Sequence, residues 1–249
     1  MNGFATLGGP HICMLVCCMA AGAVLVFLTE KPGYVSMFAS GAAGRQGDAR
    51  VCPAPVKAAA VALIALEAAQ DAYLLITGVE PVMEHLPLHL CSLGVFVNLY
   101  GAFSRSRLSA ALREISLMLI APGAVFALLF PDWTYMPLLS ALSVIGFISH
   151  TLLVAVPLMM LRAGAVRPAV RHSWYPLAFL AVVSPPVFLF DRVFGYNYLF
   201  LRSPVEGTPL AWWAARLGEP GYLLGILLMI LLLLALEYAA VYACGRDRL

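Results

Sequence analysis

Long apolar runs, separated by short charged segments, occupy almost the whole of this 249-residue chain. An α-helix needs about 20 consecutive apolar residues to cross a bilayer, so runs of this length are typical of membrane spans. Apolar residues make up 62% of the sequence and charged residues 11%, a ratio that a water-soluble domain does not reach. The sequence therefore predicts an all-α, polytopic membrane helix bundle.

Seven helices are predicted to span the membrane. They run from His11 to Leu28, Lys57 to Gly78, Leu86 to Phe103, Leu108 to Phe130, Thr134 to Leu161, Trp174 to Phe190 and Gly221 to Ala243. Most Lys and Arg residues fall on one side of this zigzag, and only Arg192, Arg202 and Arg216 fall on the other. By the positive-inside rule, the N-terminus is expected outside and the C-terminus in the cytoplasm. No run is left over for a soluble domain, so residues 1–249 are expected to form a single membrane-embedded domain.

The longest segment on the predicted outer side runs from Asp191 to Pro220. It contains Tyr196, Trp212 and Trp213, and such aromatic side chains favour the boundary between membrane and water. We expect this segment to lie over the helix bundle as a lid or rim.

Charge and motif spacing exclude several classes of function. The net charge of +2 is spread over loops without a basic stripe, so nucleic acid is not an expected partner. The six cysteines do not form a disulfide framework. There is no Cys-x-x-Cys, His-Glu-x-x-His, Walker or Rossmann pattern, so no metal and no cofactor is predicted.

Cys91 differs from the other cysteines because it lies among polar residues. It follows His89, precedes Ser92 and opens the third predicted span. A free cysteine in a core is usually only a small hydrophobic residue, and apolar surroundings keep a thiol protonated unless a base is near. A reactive role for Cys91 therefore requires a partner that accepts its proton.

His150 is the candidate for that partner, since it lies inside the fifth predicted span. Ionisable side chains at membrane depth are costly, which favours a function, although a histidine can also simply link two helices by a hydrogen bond. Together, Cys91 and His150 suggest Cys–His acyl chemistry inside a bilayer.

Glu67 and Asp71 lie one helical turn apart on the second predicted span and face the same way. They are expected to orient an imidazole, bind a cation or relay protons, or else to belong to a structural polar network. With His150 they also suit a proton-coupled transporter or channel, which the absence of internal repeats does not favour. A receptor-like or structural seven-helix protein is the remaining class.

Five short motifs follow one another in a fixed order. They are Leu86-Pro87-Leu88-His89-Leu90-Cys91-Ser92, Leu128-Leu129-Phe130-Pro131, Ser149-His150 with Val154-Ala155-Val156-Pro157, Asn197-Tyr198-Leu199-Phe200-Leu201-Arg202-Ser203-Pro204, and Gly218-Glu219-Pro220-Gly221-Tyr222. In this order and spacing they resemble the landmarks of the YwaF family, which includes the eukaryotic transmembrane protein 164. The resemblance covers the chain from Leu86 to the end of the last helix.

The resemblance implies a multi-pass enzyme of the bacterial plasma membrane with phospholipid and lysophospholipid as partners. The eukaryotic relatives are described as cysteine-dependent acyltransferases that move a fatty acyl chain from a phospholipid to a lysophospholipid. Carried over, the nucleophile that forms the acyl-thioester is Cys91 and its partner is His150. A lipid ester hydrolase on the same pair is the alternative. The chain departs from the eukaryotic form at Leu88-His89-Leu90, which precedes the cysteine.

Six further polar residues are candidates for substrate binding. Ser92, Asn98 and Asn197 are candidate hydrogen-bond donors to the oxyanion of an acyl-transfer intermediate. The remaining candidates are His89, Glu67 and Asp71. The sequence does not predict the oligomeric state, the head group or the length of the acyl chain.

Overall fold

A computed structural model describes residues 3–30, 51–79, 81, 83 and 85–244. The other parts of the predicted single domain, including residues 31–50, lie outside the described residues. Every regular element in the described part is a helix. The α-helices are α1 Gly9–Leu28, α2 Ala54–Thr77, α3 Leu90–Phe103, α4 Arg107–Ile115, α5 Ala121–Leu129, α6 Ala141–Arg162, α7 Trp174–Phe194 and α8 Pro209–Ala243. A π-helical turn, Ser116–Ile120, joins α4 to α5.

Six helical segments of the described chain are long and apolar enough to cross a membrane. They are Gly9–Leu28, Ala54–Thr77, Arg107–Leu129, Ala141–Arg162, Val170–Phe194 and Gly221–Ala243. These segments confirm the predicted all-α, polytopic class, whereas the predicted orientation of the termini stays a prediction. The third predicted span is shorter than expected, because α3 has 14 residues and is therefore only about 21 Å long.

Prolines account for two of the boundaries that differ from the predicted ones. The third span was expected to begin at Leu86, but α3 begins at Leu90, since the residue before Pro87 is disfavoured in a helix. The fifth span was expected to begin at Thr134, but α6 begins at Ala141. Pro137 and a cap on the side chain of Ser140, which accepts from the backbone N–H of Ser143, delay the start of α6.

Glycines lie near the boundaries of the last two spans. The sixth span was expected to end at Phe190, but α7 continues to Phe194 and ends where Gly195 takes a φ of +84°. The predicted last span, Gly221 to Ala243, is confirmed, although the helix that contains it, α8, begins earlier at Pro209 and has a φ of +59° at Gly218. Glycine adopts such backbone angles without steric cost. The predicted outer segment is therefore partly helical.

The chain divides into two compact units. The first contains Met1–Val82 and Cys91–Arg167, and the second contains Met83–Leu90 and Pro168–Leu249. The single-domain organisation stays a prediction.

The central helix of the first unit is α6, which packs against α1, α2 and α5. Its most buried large apolar side chains are Phe147, Leu153, Val156, Met159 and Met160, each at most 1% exposed. Burying large apolar side chains is the main favourable term of such packing. The position of α6 therefore determines where its histidine, His150, lies in the unit.

Two glycines of α3 lie against the ends of side chains from α6. A Cβ atom added at Gly94 would lie 3.2 Å from Cδ2 of Leu153, and one added at Gly101 would lie 3.7 Å from Cε of Met160. Gly101 follows Gly94 by two helical turns on α3, and Met160 follows Leu153 by two helical turns on α6. The helices α3 and α6 therefore run parallel in this region.

A buried arginine holds the far end of α3. Arg113 is 1% exposed, and its guanidinium donates to the backbone carbonyls of Gly101 at 2.7 Å, Ala165 at 2.9 Å and Ser104 at 2.9 Å. These carbonyls lie at or near the C-terminal ends of α3 and α6, where the helix dipole favours a cation. Arg113 therefore fastens α3 to α4 and to the turn after α6.

Candidate active site

Cys91 and His150 belong to the same unit and lie at the same level of two parallel helices. Cys91 precedes Gly94 by three positions, and His150 precedes Leu153 by three positions. Since Gly94 and Leu153 are close neighbours, one turn back along each parallel helix leads to the candidate nucleophile and the candidate base. Both side chains are half-buried.

Two carboxylates act electrostatically on this pair. Asp132, in the loop after α5, acts on both Cys91 and His150, and Glu67 on α2 acts on Cys91. Four segments of the first unit thus contribute ionisable groups to this site: α2, α3, the loop after α5, and α6. Asp132 was not predicted from the sequence, although it directly follows the Leu128-Leu129-Phe130-Pro131 motif.

A backbone contact orients the imidazole of His150. Its Nδ1 lies 2.7 Å from the carbonyl oxygen of Gly146, one turn earlier on α6. A carbonyl only accepts, so in the neutral ring this contact assigns the proton to Nδ1 and leaves the lone pair on Nε2. The ring therefore has the tautomer that a general base acting through Nε2 requires.

The indole ring of Trp133 packs against His150. The ring centroid of Trp133 lies 5.2 Å from that of His150, and a Cβ atom added at Gly146 would lie 3.4 Å from the same indole. Among the described residues, the indole Nε1 of Trp133 is buried without a hydrogen-bond partner. A buried donor without a partner is costly, so the N–H of Trp133 is expected to donate a hydrogen bond to a bound molecule. Trp133 was missed in the sequence because it lies in a loop and outside the motifs.

The predicted oxyanion donor Asn98 is already engaged inside the first unit. It is fully buried, its amide donates to the carbonyl of Gly94 at 2.9 Å, and its Oδ1 accepts from the hydroxyl of Ser116 at 2.8 Å. These bonds link α3 to the π-helical turn. Ser92 is half-buried beside Cys91, and the substrate-binding roles of both residues stay predictions.

The carboxylates Glu67 and Asp71 are both half-buried on α2. Of the two, Glu67 is the one that acts on Cys91. Their roles in binding substrate or in moving protons stay predictions.

The other two predicted substrate-binding residues belong to the second unit. The ring of His89 lies 4.8 Å from that of Tyr198. The amide of Asn197 donates to the hydroxyl of Ser203 at 2.9 Å and accepts from the backbone N–H of Arg202 at 3.0 Å. Asn197 therefore holds the loop after α7 in its conformation, and the substrate contacts of both residues stay predictions.

The described residues contain no group of three or more His, Cys, Asp and Glu side chains that is able to hold a metal ion. The site as described therefore consists of a thiol, an imidazole, two carboxylates and an indole N–H.

The model of one protein family matches most of the chain. It is the model of the TMEM164 family, and the match covers residues 6–238. The chain belongs to the TMEM164 family. The match confirms the resemblance to the YwaF and transmembrane protein 164 family and supports a multi-pass integral membrane protein. It also includes α1 and α2, which precede the first of the five motifs. No curated protein and no solved structure matches the chain.

Proposed function

We propose that this TMEM164-family protein is an acyltransferase that moves a fatty acyl chain between phospholipid and lysophospholipid through an acyl-thioester on Cys91. The observation that carries the proposal is the shared level of Cys91 and His150 on the parallel helices α3 and α6. It is supported by the hydrogen bond that leaves Nε2 of His150 free to accept a proton.

The first half of the reaction transfers the acyl chain to the enzyme. Nε2 of His150 takes the proton from Cys91, and the thiolate attacks the ester carbonyl of a phospholipid. The tetrahedral intermediate then collapses, the carbon–oxygen bond of the ester breaks, and the leaving lysophospholipid takes the proton back from His150. The product is an acyl-thioester on Cys91.

The second half transfers the chain to a new lipid. Nε2 of His150 takes the proton from the hydroxyl of a lysophospholipid, whose oxygen attacks the thioester carbonyl. Collapse of this intermediate releases the new phospholipid, and the proton on His150 returns to Cys91. The two halves form a ping-pong cycle that consumes no cofactor.

Asp132 supports one of the two charged groups in this cycle, the imidazolium of His150. Its negative charge, like that of Glu67, opposes the thiolate of Cys91, so the thiolate depends on the imidazolium that forms with it. A carboxylate near an imidazole stabilises the imidazolium that forms each time Nε2 accepts a proton. Asp132 acts on His150 from the loop after α5, so its role is to assist the base and not to attack substrate.

Trp133 is the candidate oxyanion donor, on the strength of an N–H that is unpaired within the described part of the chain and of its contact with His150. Its buried Nε1–H lacks a partner among the described residues, and its ring lies against His150. A donor that is held in place before the reaction stabilises the negative oxygen of each tetrahedral intermediate. Asn98 is less suited, since both ends of its amide are engaged.

The test uses a phospholipid with a labelled acyl chain and an unlabelled lysophospholipid with a different head group. Purified protein in lipid nanodiscs should move the label to the second head group, and the Cys91→Ser variant should not. If the label appears only as free fatty acid, the protein is a lipid ester hydrolase and not a transferase. If wild-type protein moves no label to either product, the proposal is wrong.

A further inference from the structure

The second unit contains a cavity of about 470 Å³ between the end of α7, the loop that follows and α8. This volume lies within the range of about 300–1,000 Å³ that is usual for small-ligand sites. Both polar and apolar side chains line the cavity. The residues that matter here are Arg192, Arg202, Asn197, Ser203, Phe188 and Leu223.

Arg202 is held in position by the protein itself. Its Nη1 donates to the backbone carbonyls of Asp191 and Tyr196, both at 3.1 Å. An arginine has five N–H donors in a rigid fork, so these two bonds fix the guanidinium and leave other donors for a ligand. The carboxylate of Asp191 is fully buried, but among the described residues neither of its oxygens accepts a hydrogen bond from Arg202.

Arg192 is the second arginine that lines the cavity. The Cζ of its guanidinium lies 5.8 Å from the centroid of the Phe188 ring, within the range of a cation–π contact. Among the described residues, no carboxylate or carbonyl accepts a hydrogen bond from Arg192. The cavity therefore carries a net positive charge and a set of N–H donors that is available to an anion.

The loop after α7, which carries Arg202 and Ser203, is held in one conformation by its own hydrogen bonds. The side chain of Asn197 accepts from the backbone N–H groups of Arg202 at 3.0 Å and Ser203 at 3.1 Å, and it donates to the carbonyl of Ser203 at 2.9 Å. Leu199 and Phe200 have φ angles of +55° and +54°, which non-glycine residues keep only where the surrounding contacts impose them. Such a loop presents Arg202 and Ser203 without a large cost in ordering.

Apolar side chains on the same cavity indicate what kind of anion it takes. Phe188 lies on a segment that is able to span a membrane, and so does Leu223, whereas the arginines lie where such a segment ends or beyond it. Guanidinium groups bind phosphate through paired hydrogen bonds. A ligand with a phosphate at one end and a hydrocarbon chain at the other suits both the arginines and the apolar side chains of this lining.

We propose that this cavity binds the phosphate of a glycerophospholipid head group, with Arg192 and Arg202 as its ligands. The site uses neither Cys91 nor His150, so it does not depend on the proposed acyl transfer. Loss of acyl transfer activity would leave it unaffected.

The test is native mass spectrometry of the detergent-solubilised full chain titrated with phosphatidylglycerol. Diacylglycerol with the same chains, which lacks the phosphate, is the comparison lipid, and inorganic phosphate is the competitor. Saturable binding of phosphatidylglycerol should be at least about tenfold tighter than that of diacylglycerol, because the charged hydrogen bonds to the phosphate are lost.

Arg192→Gln should weaken the binding of phosphatidylglycerol by about tenfold and leave that of diacylglycerol unchanged. Arg216→Gln is the matched control, since Arg216 is also exposed and lies over an aromatic ring, 5.0 Å from the centroid of Trp212, but does not line the cavity. Equal losses in the two variants would contradict the assignment. So would equal binding of the two lipids, or inorganic phosphate that binds as tightly as the lipid.

Discussion

Replacing Gly94 by alanine tests whether the packing of α3 against the π-helical turn and the side chains of α6 is what aligns Cys91 with His150. The new Cβ would lie 2.5 Å from Cγ2 of Ile120 and 3.2 Å from Cδ2 of Leu153. Carbon atoms of neighbouring side chains stay about 3.5 Å apart or more, so about 1 Å of movement is required. The Cγ2 of Ile120 is a branch at Cβ and turns little, so the helices themselves must move.

The expected loss of activity is larger than the expected loss of stability. Overpacking a core typically costs about 1–3 kcal/mol, which leaves most molecules of an ordinary protein folded. A misplacement of about 1 Å at a reacting pair lowers the rate about 10²-fold. The rate of labelled-chain transfer should therefore fall about 10²-fold in Gly94→Ala, while the thermal midpoint falls by only several degrees.

Two variants serve as controls for Gly94→Ala. Gly22→Ala changes a helical glycine of the same unit whose added Cβ would lie 3.4 Å from Cγ2 of Thr151, an ordinary contact, and it should keep its rate. Ile120→Leu combined with Gly94→Ala removes the branch at Cβ at nearly constant volume and should restore part of the rate. If Gly94→Ala loses rate only in proportion to folded protein, or keeps the wild-type rate, the alignment of the helices is not what positions the pair.

Three further outcomes are expected. Cys91→Ser and His150→Ala should each lower acyl transfer by orders of magnitude at nearly unchanged thermal stability, and the double variant should be little worse than either, since residues acting as a unit are non-additive; additive losses would contradict the pair. Trp133→Phe keeps an aromatic ring at this position but removes the N–H, so kcat should fall by about 10²-fold with little change in KM, whereas a change in KM alone would assign the indole to substrate binding. Burial raises the pKa of the Cys52 thiol, so less thiolate is present at neutral pH. Maleimide should therefore label Cys52 more slowly than the exposed Cys244, and the rate of labelling at Cys52 should rise as the pH is raised. Equal labelling of the two cysteines in the folded protein would contradict the burial of Cys52.

The helices were predictable wherever the apolar run itself set the boundary. The first span agrees closely with α1, since a run of apolar residues ends there at a polar boundary. The fifth span was extended too far at its start, because Thr134 to Ser140 are compatible with a span in composition but Pro137 is not compatible with a helix interior. Composition predicts that a span exists, whereas local backbone chemistry decides where it begins.

The candidate site was predictable in part. Cys91 and His150 stand out because a thiol among polar groups and an imidazole at membrane depth are unusual. Asp132 and Trp133 do not stand out, because an acidic residue and an aromatic residue in a loop are ordinary at a membrane boundary. Their approach to His150 depends on how α5 and α6 pack, which no local pattern encodes.

The buried Arg113 also escaped prediction, because an arginine near the end of a span usually extends to the membrane surface. Its burial is possible since three carbonyls from the ends of other segments converge on it. That convergence is a property of the packed unit and is not visible in the neighbouring sequence.

The central claim is that Cys91 carries the acyl chain during turnover. Intact-protein mass spectrometry after incubation with a phospholipid of known chains, without acceptor lysophospholipid, measures this directly. The account predicts a mass increase of one acyl group on wild-type protein, located on the peptide that contains Cys91 and removed by hydroxylamine, with none on Cys91→Ser. Protein that transfers the labelled chain but never carries it on Cys91, or carries it equally in Cys91→Ser, would contradict the account.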